Sequence, residues 1–335
     1  MSQQPIPTPP QAPPVRRAPP PVLAGVSGPS HGAPSTGSRL KDATRGVVLD
    51  EPLSILAHGT EGIGKSTFAA NAPRCLMLCA EKGTGEIPVF GRLTPRSWEE
   101  LVSIVWELVR EQHPYQSVAI DSLDWLEPMC WRHVCEKAGK PSLKAFGYGD
   151  GYAEALSQWR QLQAALEEVQ KAKRMTVILI AHSHCKSFKN PDASQGDYDR
   201  YQLKLQDKAA GLWKEWAKAV LFMNYDRAVV EVDGRLKGID NRGNDNRVKR
   251  LIFTRMTAAY DAKNRLWLPE QVPLSWAAFE AAVKAGADLR GKWNDALWQL
   301  DDKARTEAQA WIEGVDFDPV KVAKMIDEMR AAQTK

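Results

Sequence analysis

The chain is poor in cysteine, and what it has is odd in number: five in 335 residues. Cys75, Cys79, Cys130, Cys135 and Cys185 form no even, regularly spaced set. That excludes a disulfide framework and fits a reducing cytosol. Cys75 and Cys79 fall in or beside an apolar run and read as core residues. A zinc site from His182, His184 and Cys185 lacks the paired ligand spacing such sites use. Long apolar runs are missing too. None approaches the roughly 18–20 residues of a membrane span, and prolines stand where a signal peptide has its apolar core. The expectation is a cytosolic protein with no membrane partner. Charge of one sign is also scarce: a formal net charge of +4 permits a nucleic-acid partner without requiring one.

Proline is unevenly spread. About half of the 22 prolines lie before residue 39, among Ala, Gly and Ser, in a segment too poor in apolar surface to fold. Residues 1–44 are therefore expected to form a disordered tail. Over 45–284, buried strands alternate with helices, which predicts an α/β fold with a mostly parallel sheet between helices. Residues 285–335 are helical in pattern and read as a small C-terminal extension.

Chemistry concentrates in Gly59-Thr60-Glu61-Gly62-Ile63-Gly64-Lys65-Ser66, which fits the phosphate-loop pattern at every fixed position. The apolar strand Leu53–His58 precedes it, and a helix from Thr67 follows, stopped by Pro73. Such a turn points backbone N–H groups at an anion. Lys65 is expected to reach the β- and γ-phosphates of ATP, and the Ser66 hydroxyl to ligate Mg²⁺.

Three strand ends supply further candidates. Asp121 closes the apolar run Ser117–Ile120 and is the expected second Mg²⁺ ligand. Glu81 follows the strand Cys75–Ala80 and reads either as general base for the attacking water or as a solvated loop carboxylate. His182 ends the strand Thr176–Ala181, where a polar group senses the γ-phosphate. The polar stretch from Ser183 to about Leu205 reads as a long loop. Its Lys186, Lys189, Phe188, Tyr198 and Tyr201 mix charge with stacking faces as single-strand binders do, while Asp192, Asp197 and Asp199 weigh against a phosphate groove. Ala228–Asp233 and Arg250–Thr254 are expected as antiparallel strands at the sheet edge. Between them Arg235, Lys237, Arg242, Arg247, Lys249 and Arg250 outnumber the acids, giving either a phosphate-holding hairpin or a solvated one. Lys263 and Arg265 follow, on an ordinary turn or as a finger reaching a neighbouring subunit's γ-phosphate.

The order phosphate loop, Glu81, Asp121, His182 resembles the RecA-type ATPase core. The run Ala259-Tyr260-Asp261-Ala262-Lys263-Asn264-Arg265-Leu266-Trp267-Leu268-Pro269 is similar to a signature of phage-encoded ATP-binding proteins with an AAA-type label, some of them Sak-type single-strand annealing recombinases. The resemblance covers about Leu53 to Val283. It implies ATP and Mg²⁺ binding, single-stranded DNA binding and strand annealing in the host cytoplasm. It also implies a homo-oligomeric ring or filament and a single-strand binding protein as partner. His182 departs from the Gln common at that position. Two other readings stay open: a helicase-like replication motor, and a nucleotide-dependent switch or assembly protein without DNA contact.

Overall fold

A computed structural model describes residues 51–335 apart from 82, 84, 190–195, 233–234, 244–246, 315–317 and 334–335. It also leaves out the side chains of 228–238, 313–314 and 332–333. The tail expected over 1–44 and Asp192 lie outside the described residues.

The chain runs β1 (Ser54–Gly59), α1 (Lys65–Ala70), β2 (Cys75–Cys79), β3 (Gly91–Leu93), α2 (Trp98–Arg110), β4 (Ser117–Asp121), α3 (Leu123–Lys137), α4 (Asp150–Lys173) and β5 (Thr176–Phe188). It continues through β6 (Tyr198–Leu203), α5 (Asp207–Trp216), β7 (Ala219–Tyr225), β8 (Arg227–Val232), β9 (Arg235–Asp240), β10 (Arg250–Phe253), β11 (Lys263–Asn264) and β12 (Gln271–Pro273). It ends with α6 (Trp276–Trp298), α7 (Asp302–Gly314) and α8 (Pro319–Gln333).

The main sheet has the order β12-β10-β7-β1-β5-β4-β2-β3. From β7 to β3 the pairings are parallel, and β10 and β12 add an antiparallel edge. β1, β2 and β4 are buried along their whole length, as strands covered on both faces must be, so they read as unbroken apolar runs. Alternate residues then serve opposite faces. Leu56 and Leu179 meet Trp98, Trp159 and Trp213 on the side of α2–α5. Ile55, Ala57, Ile178 and Ile180 meet Phe68, Trp276 and Phe279 on the side of α1 and α6. β1 and β7 approach so closely at Gly59 that a Cβ there would lie 2.1 Å from the Met223 carbonyl oxygen.

Capping fixes the start of α2: the Ser97 hydroxyl accepts from the Glu100 N–H, and the Glu100 carboxylate accepts from the Arg96 N–H. The last part of α6 packs with α7 and α8 around Trp293, Leu297, Ala308, Val322 and Ile326, a small core of its own. The boundary expected at 284/285 falls inside the continuous helix α6.

Three expectations need correction. The stretch expected as a loop from Ser183 is a ribbon: β5 continues to Phe188 and pairs with β6 from Ser183↔Leu203 to Phe188↔Tyr198. Its outer part leaves the buried sheet, so polar side chains are tolerated and no apolar run marks it. The strand expected over Ala228–Asp233 at the sheet edge stands apart from it: among the described residues β8 pairs with β9 alone, in a separate two-stranded sheet. Two unforeseen helices, α3 and α5, cover the sheet, with Leu123, Leu126, Cys130 and Val134 buried along α3 and Ala209, Ala210 and Trp213 along α5.

Candidate nucleotide site

Strand register brings the expected residues to the C-terminal ends of neighbouring parallel strands. Gly59 pairs with His182 on one side and Met223 on the other, and Cys79 pairs with Asp121. The loop that leaves Gly59 turns through Gly62 (φ 71°) and Gly64 (φ 112°), a left-handed backbone that glycine adopts without strain. Gly64 caps α1 without a side-chain hydrogen bond. The first N–H groups of α1 therefore have no side-chain cap. Lys65 is buried, and its ammonium donates to the carbonyls of Gly59 at 3.2 Å and Thr60 at 2.9 Å. Burial holds its pKa below the ordinary lysine value, and Asp121, Asp124 and Glu81 pull it back up.

Asp121 is fully buried, and among the described residues neither carboxylate oxygen has a hydrogen-bond partner. Burial raises its pKa, and the nearby Ser66 hydroxyl, His182 and Lys65 offset only part of that. A buried carboxylate with unsatisfied oxygens is expensive. A hydroxyl and an orphan carboxylate are hard oxygen donors, the set that Mg²⁺ takes alongside nucleotide phosphates. Ser66 and Asp121 thus fit the expected ion.

Beside them stands a cluster that the sequence reading recognised only in part. His182 Nδ1 lies 2.9 Å from Asp124 Oδ2, and the His182 backbone N–H donates to Asp124 Oδ1 at 3.0 Å. His182 Nε2 lies 3.8 Å from Glu81 Oε2. The Asp124 hydrogen bond is the chief reason that the His182 pKa is raised. Burial by itself would raise the Asp124 pKa, but the bonds from His182 outweigh it and hold it below the ordinary value. Burial raises the Glu81 pKa, and His182 pulls the other way.

Asp124 escaped the sequence reading because it opens α3, whose apolar stripe is interrupted by Glu127 and Pro128. Asp124→Asn is expected to lower stability by about 1–3 kcal/mol, since the amide keeps one acceptor and turns an NH₂ against the other donor. The sign of the pH dependence follows from the shifts. A lowered Asp124 pKa stabilises above the ordinary value of 3.8, and a raised His182 pKa stabilises below 6.5 and is lost as pH rises through its folded value. Urea unfolding should therefore show the largest deficit between those values and a smaller one at alkaline pH. An equal deficit throughout would leave the charge of the pair without a role.

His58, one residue before the loop, is fully buried. Its Nε2 lies 2.9 Å from the Asp261 carbonyl, so Nε2 carries the proton, and Nδ1 faces the Ser183 hydroxyl at 3.0 Å. Burial lowers its pKa to about 4, which keeps it neutral. Asp261 in turn binds Arg200 of β6 at 2.6 Å and Lys214 of α5 at 2.9 Å. The Asp261–Arg265 run is thus tied to the phosphate strand, the ribbon and α5. Within it, the Lys263 ammonium donates to the Lys214 and Glu215 carbonyls near the end of α5, and Arg265 is exposed.

Arg250 opens the antiparallel strand expected from Arg250 to Thr254 and also reaches the phosphate loop. β10 pairs with β7, which places the Arg250 guanidinium on the phosphate loop, donating to the Ile63 carbonyl at 3.0 Å. It lines a cavity of about 360 Å³ with Gly64, Thr67, Asn71, Leu274 and Trp276. The other basic candidates are not gathered at this site. Lys186 pairs with Asp207 at 3.7 Å, and Lys189, Arg242, Arg247 and Lys249 are exposed. Arg235 and Lys237 sit on β9, their side chains outside the described residues.

A family described as AAA domain matches residues 51–266, more than half of the chain. Among solved structures, the chain is similar to a RadB recombinase at 12% identity, covering 61% of this chain and 80% of that one, with a TM-score of 0.34. It is similar to the flagellar accessory protein FlaH of Methanocaldococcus jannaschii at 11% identity, covering 63% and 80%, with a TM-score of 0.30. A KaiC-like protein of Pyrococcus horikoshii OT3 matches at 13% identity, covering 67% and 85%, with a TM-score of 0.33. No curated protein matches the chain. Among the described residues no helix is long and apolar enough to cross a membrane. With a phosphate loop, a buried strand-end aspartate and a family match across most of the sheet, the chain belongs to the AAA domain family of P-loop nucleotide-binding proteins.

Proposed function

We propose that the protein binds ATP with Mg²⁺ at the phosphate loop and hydrolyses it in work on single-stranded DNA. In this reading it is a phage-encoded, RecA-like ATPase of the Sak type that promotes strand annealing. The observation that carries the ATPase part is the buried Asp121 carboxylate, both of its oxygens without a hydrogen-bond partner among the described residues, beside Ser66 and Lys65. Lys65 would take phosphate charge, and Ser66 and Asp121 would hold the Mg²⁺, which would supply charge neutralisation for the triphosphate. Glu81, its basicity raised by burial, accepts a proton from the attacking water. His182 senses the γ-phosphate from its place between Glu81 and Asp124 and passes the signal into the β5–β6 ribbon. The cavity beside Arg250 and Trp276, which adjoins Gly64 and Thr67 of the loop, would be open to the nucleoside half. Subunits form a ring or filament, and the exposed Arg265 is the finger candidate that remains open to a neighbour.

A nucleotide-dependent switch without DNA contact is the second reading. It is favoured by one observation: Arg250 and Lys186, expected on DNA, are engaged within the protein. ATP turnover with and without single-stranded DNA, at two salt concentrations, separates the two. Stimulation that fades with salt supports DNA work. Turnover indifferent to DNA, with no oligonucleotide bound, sinks it and leaves the switch.

A further inference from the structure

We infer that the face formed by the end of α3, the 3-10 turn Leu143–Phe146 and the start of α4 binds single-stranded nucleic acid. Tyr148 is its stacking platform, and Arg132, Lys140 and Lys144 are its phosphate contacts. The inference rests on the DNA-working reading above but uses none of the residues named there.

A groove of about 540 Å³ lies on this face, walled by Trp131, Leu143 and Tyr152 and rimmed by Arg132, Lys140 and Lys144. The Trp131 and Tyr152 rings meet edge to face at 5.9 Å. In the chain between the lining residues Lys144 and Tyr152, Tyr148 is fully exposed. Its φ is 41°, and it stands between Gly147 at 79° and Gly149 at 87°. A tyrosine in the left-handed region is strained, and such strain persists where the surroundings impose it. They do so here. Asp150 N–H donates to the Gly147 carbonyl at 2.9 Å, and Tyr152 N–H to the Gly149 carbonyl at 3.0 Å. α4 packs on the turn so tightly that a Cβ on Gly151 would lie 2.4 Å from the Leu143 carbonyl oxygen. The fold gains no burial from a ring held wholly in water, so the ring is presented rather than packed.

Charge selects the occupant. Arg132, Lys137, Lys140 and Lys144 are all exposed, and none takes part in an ion pair among the described residues. Lys186 and Arg200, by contrast, have carboxylate partners. Glu136, which lines the groove, and Asp150 and Glu154 of α4 are the exposed acids on these segments, so four basic side chains stand against three acidic ones. Spaced cations beside aromatic faces suit a strand whose phosphates meet the lysines and whose unpaired bases meet the rings. A duplex hides its base faces and cannot use Tyr148. The groove also bears on the nucleotide site, because α3 carries Trp131 and Arg132 towards one end and Asp124 in its first turn.

The test is fluorescence anisotropy of a labelled oligo-dT with the full chain. Tyr148→Ala is expected to weaken binding about tenfold, and Tyr148→Phe to retain it. Lys140→Ala with Lys144→Ala should reduce the salt slope by about 1.4, at about 0.7 per single-strand contact. Duplex binding should not respond to Tyr148→Ala. These surface variants should keep basal ATP turnover and lose its stimulation by oligo-dT. If wild type binds oligo-dT and the variants bind equally well, this site is refuted while the DNA reading stands. If polyglutamate displaces oligo-dT through the lysines and Tyr148→Ala changes nothing, the face serves an acidic protein segment instead. If wild type binds ATP but no oligo-dT at low salt, the DNA reading falls and this site with it.

Discussion

Lys65→Ala is expected to reduce ATP affinity by at least about 100-fold, measured by calorimetry with Mg²⁺ present. The lysine is buried, and its ammonium is held by the Gly59 and Thr60 carbonyls at the mouth of the loop. Its charge is drawn upon by four carboxylates: Asp121, Asp124, Glu81 and Glu61. A triphosphate brought into this cluster without the lysine meets the carboxylates of Asp121, Asp124 and Glu81 with one cation fewer to offset them. Loss of two charge-assisted hydrogen bonds, at about 1.5–3 kcal/mol each, accounts for the expected magnitude. The fold should survive, because the alanine removes a desolvated charge while leaving two carbonyls short of a donor, and the two effects oppose each other. Far-ultraviolet circular dichroism checks this. Unchanged nucleotide affinity in the folded variant would remove the loop from phosphate binding.

Glu81→Gln should leave ATP affinity nearly intact and slow turnover by about 10²–10⁴-fold, the usual contribution of a positioned base. The amide has the same shape but no basic oxygen. The pH profile adds an independent readout. Burial raises the Glu81 pKa, partly offset by His182. Wild-type turnover should therefore decline on acidification at a higher pH than an ordinary glutamate would give, and the variant should lack that limb. Equal turnover by the two proteins would exclude Glu81 from the chemistry.

Strands buried on both faces were legible because burial forces unbroken apolar runs: β1, β2, β4 and β7 all stand where such runs predict them. The β5–β6 ribbon was not, since its outer residues stand off the core and obey no apolar pattern. Arg250 was grouped with the basic stretch that precedes it in sequence. Only the pairing of β10 with β7 carries it to the phosphate loop. Asp124 gave no signal, because a single acid in the first turn of a helix looks like a favourable dipole contact.

The phosphate loop was determined by sequence alone, because its chemistry is local: two left-handed glycines, a lysine and a hydroxyl within eight consecutive residues. The tertiary structure decided which distant groups stand around it. Glu81, Asp121, Asp124 and His182 come from separate strand and helix ends, and parallel register aligns those ends, with Gly59 beside His182 and Cys79 beside Asp121. Side-chain proximity across strands depends on that register, which only the packing of helices on both faces fixes.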